Sequence, residues 1–411
     1  MSCGVKWASA AGCLWKKSSP GQKSPSALIS SIGMSTKDNM RIGILTPSIY
    51  MYTARYKDRI FAPGDLARHL VAGLVSRGHE VHWFTAPEDN TKAAVEPGDT
   101  ALLTGDFTMR QFQDVSPGVT EFADLYGKKM YYELDIVEKA YQAAKEGKID
   151  LIHNFHSFGY YAHFWEEFTG VPTLYTLHDP VPTPDMLEHW LFDRFPTHKY
   201  ISISNSQRGN MADHFIDTVY NGIDLTKLPF DAKGGDGLVA VGRMVAVKGH
   251  DIAIAAAKQA GMPLTFATWM SDAVKETPYF KEKIAPFVNG KDVVLNSLML
   301  GTSLASAYQN AKALIFPIQW EEPFGLVMIE AMSCGTPVIA YNRGSVAEIV
   351  KDGVTGFVVP PEAGVDGLVE AINRVGEIDR AACRKHVEDN FTIDKMVEGY
   401  ENVYKKALGK L

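Results

Sequence analysis

Two glutamates, Glu322 and Glu330, stand with seven residues between them in the segment PIQWEEPFGLVMIEAMSCGTPVIA, residues 317–340. Between them Pro323-Phe324-Gly325 reads as a turn that opens into an apolar run, Leu326-Val327-Met328-Ile329. Proline suits the first helical position, where its missing N–H costs nothing, so the pattern predicts a helix from Pro323 to about Ser333. The amides of Phe324, Gly325 and Leu326 then lack intrahelical acceptors and face outward at the positive end of the helix dipole. Such an end binds anions, and Gly325 admits a phosphate close to the backbone. Glu322 would lie on the rim of this site and Glu330 two turns in. A carboxylate there suits paired hydrogen bonds to vicinal hydroxyls, as on a ribose. Diphosphate, ribose and sugar together describe a nucleotide sugar. The plainer reading of the same residues is a helix with two solvated acids.

A second basic constellation lies upstream, Gly242-Arg243-Met244-Val245-Ala246-Val247-Lys248-Gly249-His250, in the loop after an apolar strand. A departing diphosphate needs its developing charge neutralised, and a guanidinium fork with a mobile ammonium does this without a metal. The sequence shows no Asp-x-Asp of the kind that holds a divalent ion on a diphosphate, and no His/Cys cluster with ligand spacing. The expectation is metal-independent chemistry with no cofactor beyond the donor. Two histidines follow strands in the first half, His156 in Ile152-His153-Asn154-Phe155-His156 and His178 in Leu177-His178-Asp179-Pro180. Such histidines are as often structural hydrogen bonders as functional groups.

The string 317–340 resembles the donor-binding signature of the retaining glycosyltransferases of family four, which have the GT-B fold. The Gly-Arg…Lys-Gly loop resembles that family's diphosphate-binding loop. Two downstream pieces, Gly344-Ser345-Val346-Ala347-Glu348 and Gly353-Val354-Thr355-Gly356-Phe357, resemble its carboxyl-terminal pattern. The likeness runs from residue 41 to 411 and is strongest over 238–359; the donor string looks closest to the avilamycin-type sugar transferases. It implies transfer of a hexose from a UDP- or GDP-type sugar to an acceptor hydroxyl, with retention at the anomeric carbon. It further implies Glu322 and His156 on the sugar, Arg243 and Lys248 on the diphosphate, and the Phe324-Gly325-Leu326 amides on sugar hydroxyls and phosphate. Glu330 would bind ribose, and His178 would face the acceptor. Base contacts would come from loops after Trp269 and near Ser297-Leu298-Met299, Leu298 among them. Many relatives carry a paired glycine after the first strand. Here a long loop, Pro47–Pro63, with Tyr50, Tyr52, Arg55, Tyr56 and Arg59, precedes Pro63-Gly64-Asp65. Gly64 would take the close-approach position near the phosphate and Asp65 would cap the helix. Glu348 reads as a helix-surface acid.

The elements that must position these residues alternate along the chain. Strands are expected at 41–46, 80–85, 150–154, 173–177, 200–204 and 218–220, then at 238–241, 264–269, 293–295, 313–316, 338–341 and 356–359. Leu66, Leu70, Val71, Leu74 and Val75 recur at helical spacing, and 135–145 reads as a helix. Continuous apolar strands imply parallel sheets covered on both faces. The expectation is α/β: two Rossmann-like doubly wound domains of GT-B type across a cleft. They would span 40–217 and 218–391, joined near Asn221-Gly222 and the Gly-rich 234–237. The amphipathic helix in 392–411, with Met396, Tyr400, Val403 and Tyr404, would cross back onto the first domain. Ligands in such sheets sit beyond the carboxyl ends of the strands, so the chemistry belongs in the loops that follow them.

Bulk properties agree with a soluble enzyme. The net charge of −7 shows no basic face for nucleic acid, and no run of eighteen apolar residues appears. Four cysteines, Cys3, Cys13, Cys334 and Cys383, have neither pairing nor ligand spacing, which suits a reduced, cytoplasmic compartment. Residues 1–39 are rich in Ser and Lys without hydrophobic period and read as a disordered leader, a stretch ahead of a start at Met34 or Met40, or a cloning remnant. The expected partners are a nucleotide sugar and an acceptor that is a small molecule, a glycan or lipid-linked. Two other functions fit a two-domain shape, a sugar-nucleotide 2-epimerase and a silent sugar-nucleotide-binding module. A nicotinamide dehydrogenase does not, since no Gly-x-Gly-x-x-Gly follows the first strand.

Overall fold

The computed structural model describes residues 39–52, 61–88, 91–104, 127, 129–155, 160–297 and 301–411. Two wholly parallel sheets organise them. The first holds β1 (Arg41–Leu45), β2 (Glu80–Thr85), β3 (Ala94–Pro97), β4 (Leu151–Asn154), β5 (Thr173–Thr176), β6 (Lys199–Ser202) and β7 (Phe215–Thr218), in the order β3-β2-β1-β4-β5-β6-β7. The second holds β8 (Gly237–Val241), β9 (Leu264–Thr268), β10 (Val293–Ser297), β11 (Ala311–Phe316), β12 (Val338–Tyr341) and β13 (Gly356–Val359), in the order β10-β9-β8-β11-β12-β13. Strand order reverses between β1 and β4 in the first sheet and between β8 and β11 in the second. Such reversals open a crevice at the strands' carboxyl ends, where ligands of α/β sheets bind.

The strands form where long apolar runs allow burial on both faces. Ile42, Ile44 and Leu45 of β1 pack with Trp83, Phe84, Leu151 and Ile152, and with Leu66, Leu70, Val71 and Leu74 of the helix Ala62–Ser76. A second core gathers Leu238–Val241, Phe266, Leu314–Phe316 and Val338–Ala340 around Ile329, Met332, Leu368 and Ile372. The last helix, Ile393–Ala407, belongs to the first core: Met396, Val397, Tyr400, Val403 and Tyr404 are all buried there. A methyl group at Gly73 would meet Val397 Cγ2 at 2.4 Å, so the two helices touch where a side chain is missing. Beneath them the buried His153 of β4 bonds Tyr404 Oη through Nδ1 (2.6 Å) and Thr176 Oγ1 through Nε2 (2.7 Å).

Three local expectations change. The helix after Pro323 begins at Leu326, because Gly325 adopts φ 76°, a left-handed turn that no helix continues through. Glu330 is thus the fifth helical residue, just over one turn in. Asp65 does not cap its helix; the cap position is Phe61, and Asp65 lies in the first turn paired with Arg68 at 3.0 Å. The last strand of the first sheet is Phe215–Thr218 and not 218–220: Phe215 and Val219 both enter the core, but the ladder with β6 runs from Phe215 and stops at Thr218. The sequence pattern also gave no sign of β3, a short, half-exposed edge strand that ends on Pro97.

Candidate functional site

Both basic and acidic motifs emerge from the strands that flank the reversal of the second sheet. The loop after β8 turns at Gly242 (φ 137°) and runs through a single 3-10 turn, Ala246–Lys248, to Gly249. Gly249 has φ 68°, and a methyl group on it would approach Pro317 O to 2.0 Å. Only glycine permits this meeting of the loops after β8 and β11. Gln319 N donates to Val247 O at 2.8 Å and completes the junction.

Across it, Lys248 Nζ meets Glu322 Oε2 at 2.6 Å, and the same oxygen accepts a hydrogen bond from Trp320 Nε1 at 2.8 Å. Both charged side chains are nearly buried, 12% and 11% exposed, so the pair is shielded from solvent screening. The ammonium also faces the rings of Phe316 and Trp320 at 5.5 and 5.3 Å. One of its three protons goes to Glu322, and among the described residues the other two have no acceptor. Arg243 is exposed on the same loop. Behind it the buried His250 donates from Nε2 to Arg243 O at 3.0 Å, and burial pushes this ring down to about 4, which keeps it neutral.

The helix Leu326–Ser333 points its amino end into the same place. Among the described residues the amides of Gly325, Leu326 and Val327 have no acceptor, while Met328 N is taken by Gly325 O. The amide of Phe324 has no acceptor among the described residues either, so the three amides expected from the sequence are open at this end together with that of Val327. Phe324 itself is a core residue, its ring packed 6.1 Å from that of Phe391. Glu330 accepts a hydrogen bond from Tyr308 Oη at 2.8 Å, and burial raises its carboxyl pKa against that bond.

A cavity of about 300 Å³ opens between the two halves. Pro182, Thr183, His189, Ser206, Arg208 and Asn210 line it from the first half, and Glu321, Glu322, Pro323 and Gly344 from the second. His178 stands just before this lining, after β5, with its ring edge-on to Phe155 at 4.7 Å. Gly64 is placed by packing: a methyl group there would meet Met51 Sδ at 2.6 Å and Phe61 Cδ1 at 2.7 Å. His156 and Leu298 lie outside the described residues, as do 53–60 of the long first loop and the leader 1–38. The structure thus brings Glu322 and Lys248 into contact and sets Glu322 in the cavity wall. No spacing signal marked Trp320 and Tyr308 as the partners of the two glutamates, or Arg208 and Asn210 as part of the wall. The loop-after-strand rule alone would have pointed to the last two.

Two family models match the chain. That for Glycosyl transferases group 1 matches residues 231–389, and that for Glycosyltransferase Family 4 matches residues 65–227. The chain belongs to the family-four glycosyltransferases. Among individual relatives, this glycosyltransferase is 25% identical to the glycogen synthase of Mycobacterium tuberculosis, over 78% of this chain and 84% of that protein. It is 24% identical to the putative glycosyltransferase YtcC of Bacillus subtilis over 51% of this chain, a match that spans only 59% of YtcC. In three dimensions it resembles HepE of Anabaena, crystallised with UDP-glucose, with a TM-score of 0.61, 18% identity, and cover of 91% of this chain and all (100%) of that one. AviGT4, a glycosyltransferase of avilamycin A biosynthesis, gives a TM-score of 0.59 at 17% identity, covering 90% of this chain and 99% of that one. Identities this low establish the GT-B fold and single out no subfamily. No helix among the described residues is long and apolar enough to cross a membrane.

Proposed function

We propose that this glycosyltransferase moves a hexosyl group from a UDP- or GDP-type sugar to an acceptor hydroxyl with retention of anomeric configuration, and that it needs no metal. The observation that carries the reading is the Lys248–Glu322 contact at 2.6 Å beside the free amides of Gly325, Leu326 and Val327. In this reading Arg243, Lys248 and the amides receive the diphosphate as its charge develops. Glu330 takes the ribose hydroxyls with the oxygen that Tyr308 does not engage. Glu322 holds Lys248 in place and reaches toward the sugar, and His156 contacts the sugar from the first half.

Retention through a protein nucleophile would require a carboxylate beneath the anomeric carbon. Glu322 is committed to Lys248 and Trp320 through Oε2, which leaves it poorly disposed to attack. The reading is therefore same-face attack through an oxocarbenium-like state, with the leaving phosphate taking the acceptor's proton. The HepE complex with UDP-glucose supports a UDP-type donor. The acceptor enters from the first half, past His178 and the wall formed by Thr183, Arg208 and Asn210.

The test is a panel of UDP- and GDP-hexoses incubated with EDTA and candidate acceptors, read by released nucleoside diphosphate and by NMR of the product anomer. Retained configuration in EDTA is the expected result. Inverted product, activity lost to EDTA, or an altered donor sugar without any acceptor would each overturn part of the reading; the last is the signature of an epimerase.

A further inference from the structure

Glu348 belongs to no part of the donor site, yet its carboxylate has four donors, all outside its own sheet. It lies in the short helix Val346–Ile349, which follows β12 in the second half. Oε1 accepts a hydrogen bond from Ser206 N at 2.6 Å. Oε2 accepts from Asn205 N at 2.8 Å, Asn205 Nδ2 at 3.2 Å and Tyr220 Oη at 2.9 Å. Asn205 and Ser206 follow β6 in the first half, and Tyr220 lies in the passage between the halves. Burial raises the carboxyl pKa, but the Asn205 and Ser206 amides and the Tyr220 hydroxyl outweigh it and hold the group below its usual value. A surface acid has no such set of partners.

Each end of this contact continues into the cleft. On the first-half side, the next residue, Gln207, donates from Nε2 to Leu177 O (3.0 Å) and Asp179 O (2.7 Å), the two carbonyls that flank His178. On the second-half side, Ser345 N donates to Glu322 O at 2.9 Å and Ser345 Oγ to Phe324 O at 2.8 Å. Gly344 is pressed so closely on this backbone that a methyl group would lie 2.4 Å from Glu322 N. An unbroken run of hydrogen bonds and short chain segments therefore joins the His178 loop to Glu322, and Glu348 is the link that crosses between the halves.

We infer that Glu348 is a positioning residue for transfer: it latches the two halves and fixes the acceptor side of the cleft relative to Glu322 and its donor loop. This rests on the proposed transfer reaction, although the latch itself is a statement about geometry. A carboxylate accepts at both oxygens, whereas a glutamine turns an N–H₂ toward one set of donors. Glu348→Gln therefore breaks half of the clamp at constant volume. The donor contacts assigned to Arg243, Lys248 and Glu330 lie within one half and do not cross the latch.

The experiment uses the full chain carrying Cys3→Ser and Cys13→Ser, with spin labels at Lys145→Cys and Lys258→Cys, exposed positions on opposite halves. Glu348→Gln is expected to broaden the distance distribution between the labels without substrate. It should lower kcat about 10- to 100-fold, as for misplaced reacting groups. Affinity for UDP or GDP by calorimetry should stay within about threefold. Glu348→Asp, which keeps the charge with shorter reach, should restore part of the loss. An unchanged distance distribution overturns the latch whatever happens to activity, and so does a loss of nucleotide affinity that matches the loss of kcat. A broadened distribution in a protein whose parent binds neither nucleotide supports the latch and sinks the transfer reading instead. If Glu348→Gln fails to fold, Tyr220→Phe removes a single donor and decides the matter by the same distance measurement, broadening in support and no change against.

Discussion

Lys248 and Glu330 both serve the nucleotide in the proposed site, but their surroundings assign them different work. Lys248 sits in a largely buried contact, held by Glu322 and two aromatic rings, where an added charge on a leaving diphosphate is felt strongly. Lys248→Ala should therefore lose roughly 2–3 kcal/mol of transition-state stabilisation in kcat/KM. In the proposed reading Glu330 contacts only the part of the donor that does not react, so Glu330→Ala should raise the nucleotide Kd while leaving kcat nearly intact. Steady-state kinetics with nucleotide titration separates the two; equal effects of both substitutions on kcat would contradict the assignment. The motifs that bring Lys248 to Glu322 were legible in the sequence, because each is a short string read along one chain. Trp320 and Tyr308 were not, since an indole or phenol near an acid carries no spacing signal until the chain has folded.

At the scale of elements, the donor loops depend on backbone that only glycine supplies. Gly249 combines φ 68° with a 2.0 Å approach to Pro317 O, so any side chain there parts the loops after β8 and β11. Gly249→Ala should destabilise the second half by about 2–3 kcal/mol and lower activity further by displacing Lys248. Thermal unfolding followed together with nucleotide affinity tests this, and wild-type stability would refute it. Gly325 explains in the same terms why one helix boundary was misread. Proline favours a helix start, but the left-handed glycine two residues later allows none, and conformation at that residue outweighed the propensity of its neighbour. Most strands were found within one or two residues, because apolar runs in a doubly covered sheet are unambiguous. The edge strand Ala94–Pro97 was missed because an edge needs no such run.

Over the whole molecule, the last helix fastens the chain's end to the first sheet. His153 is buried and neutral between Tyr404 and Thr176, and Arg77 reaches Glu401 at 3.2 Å on the surface above. Tyr404→Phe leaves His153 Nδ1 without its partner and should cost about 1–3 kcal/mol. Hydrogen exchange should show the loss in β1, β4 and β5 and spare β8, β11 and β12. Uniform loss across both sheets would mean that the two cores unfold as one.

The sequence by itself determined the α/β class and the family, and it proposed the donor-site residues, because strand hydrophobicity and motif spacing are properties of the chain before it folds. The tertiary structure alone decided what those residues face. Glu322 meets a lysine 74 positions away, and Glu348 meets amides 142 and 143 positions away. Such contacts depend on how strand order brings distant loops to one edge of each sheet. No local pattern encodes that order.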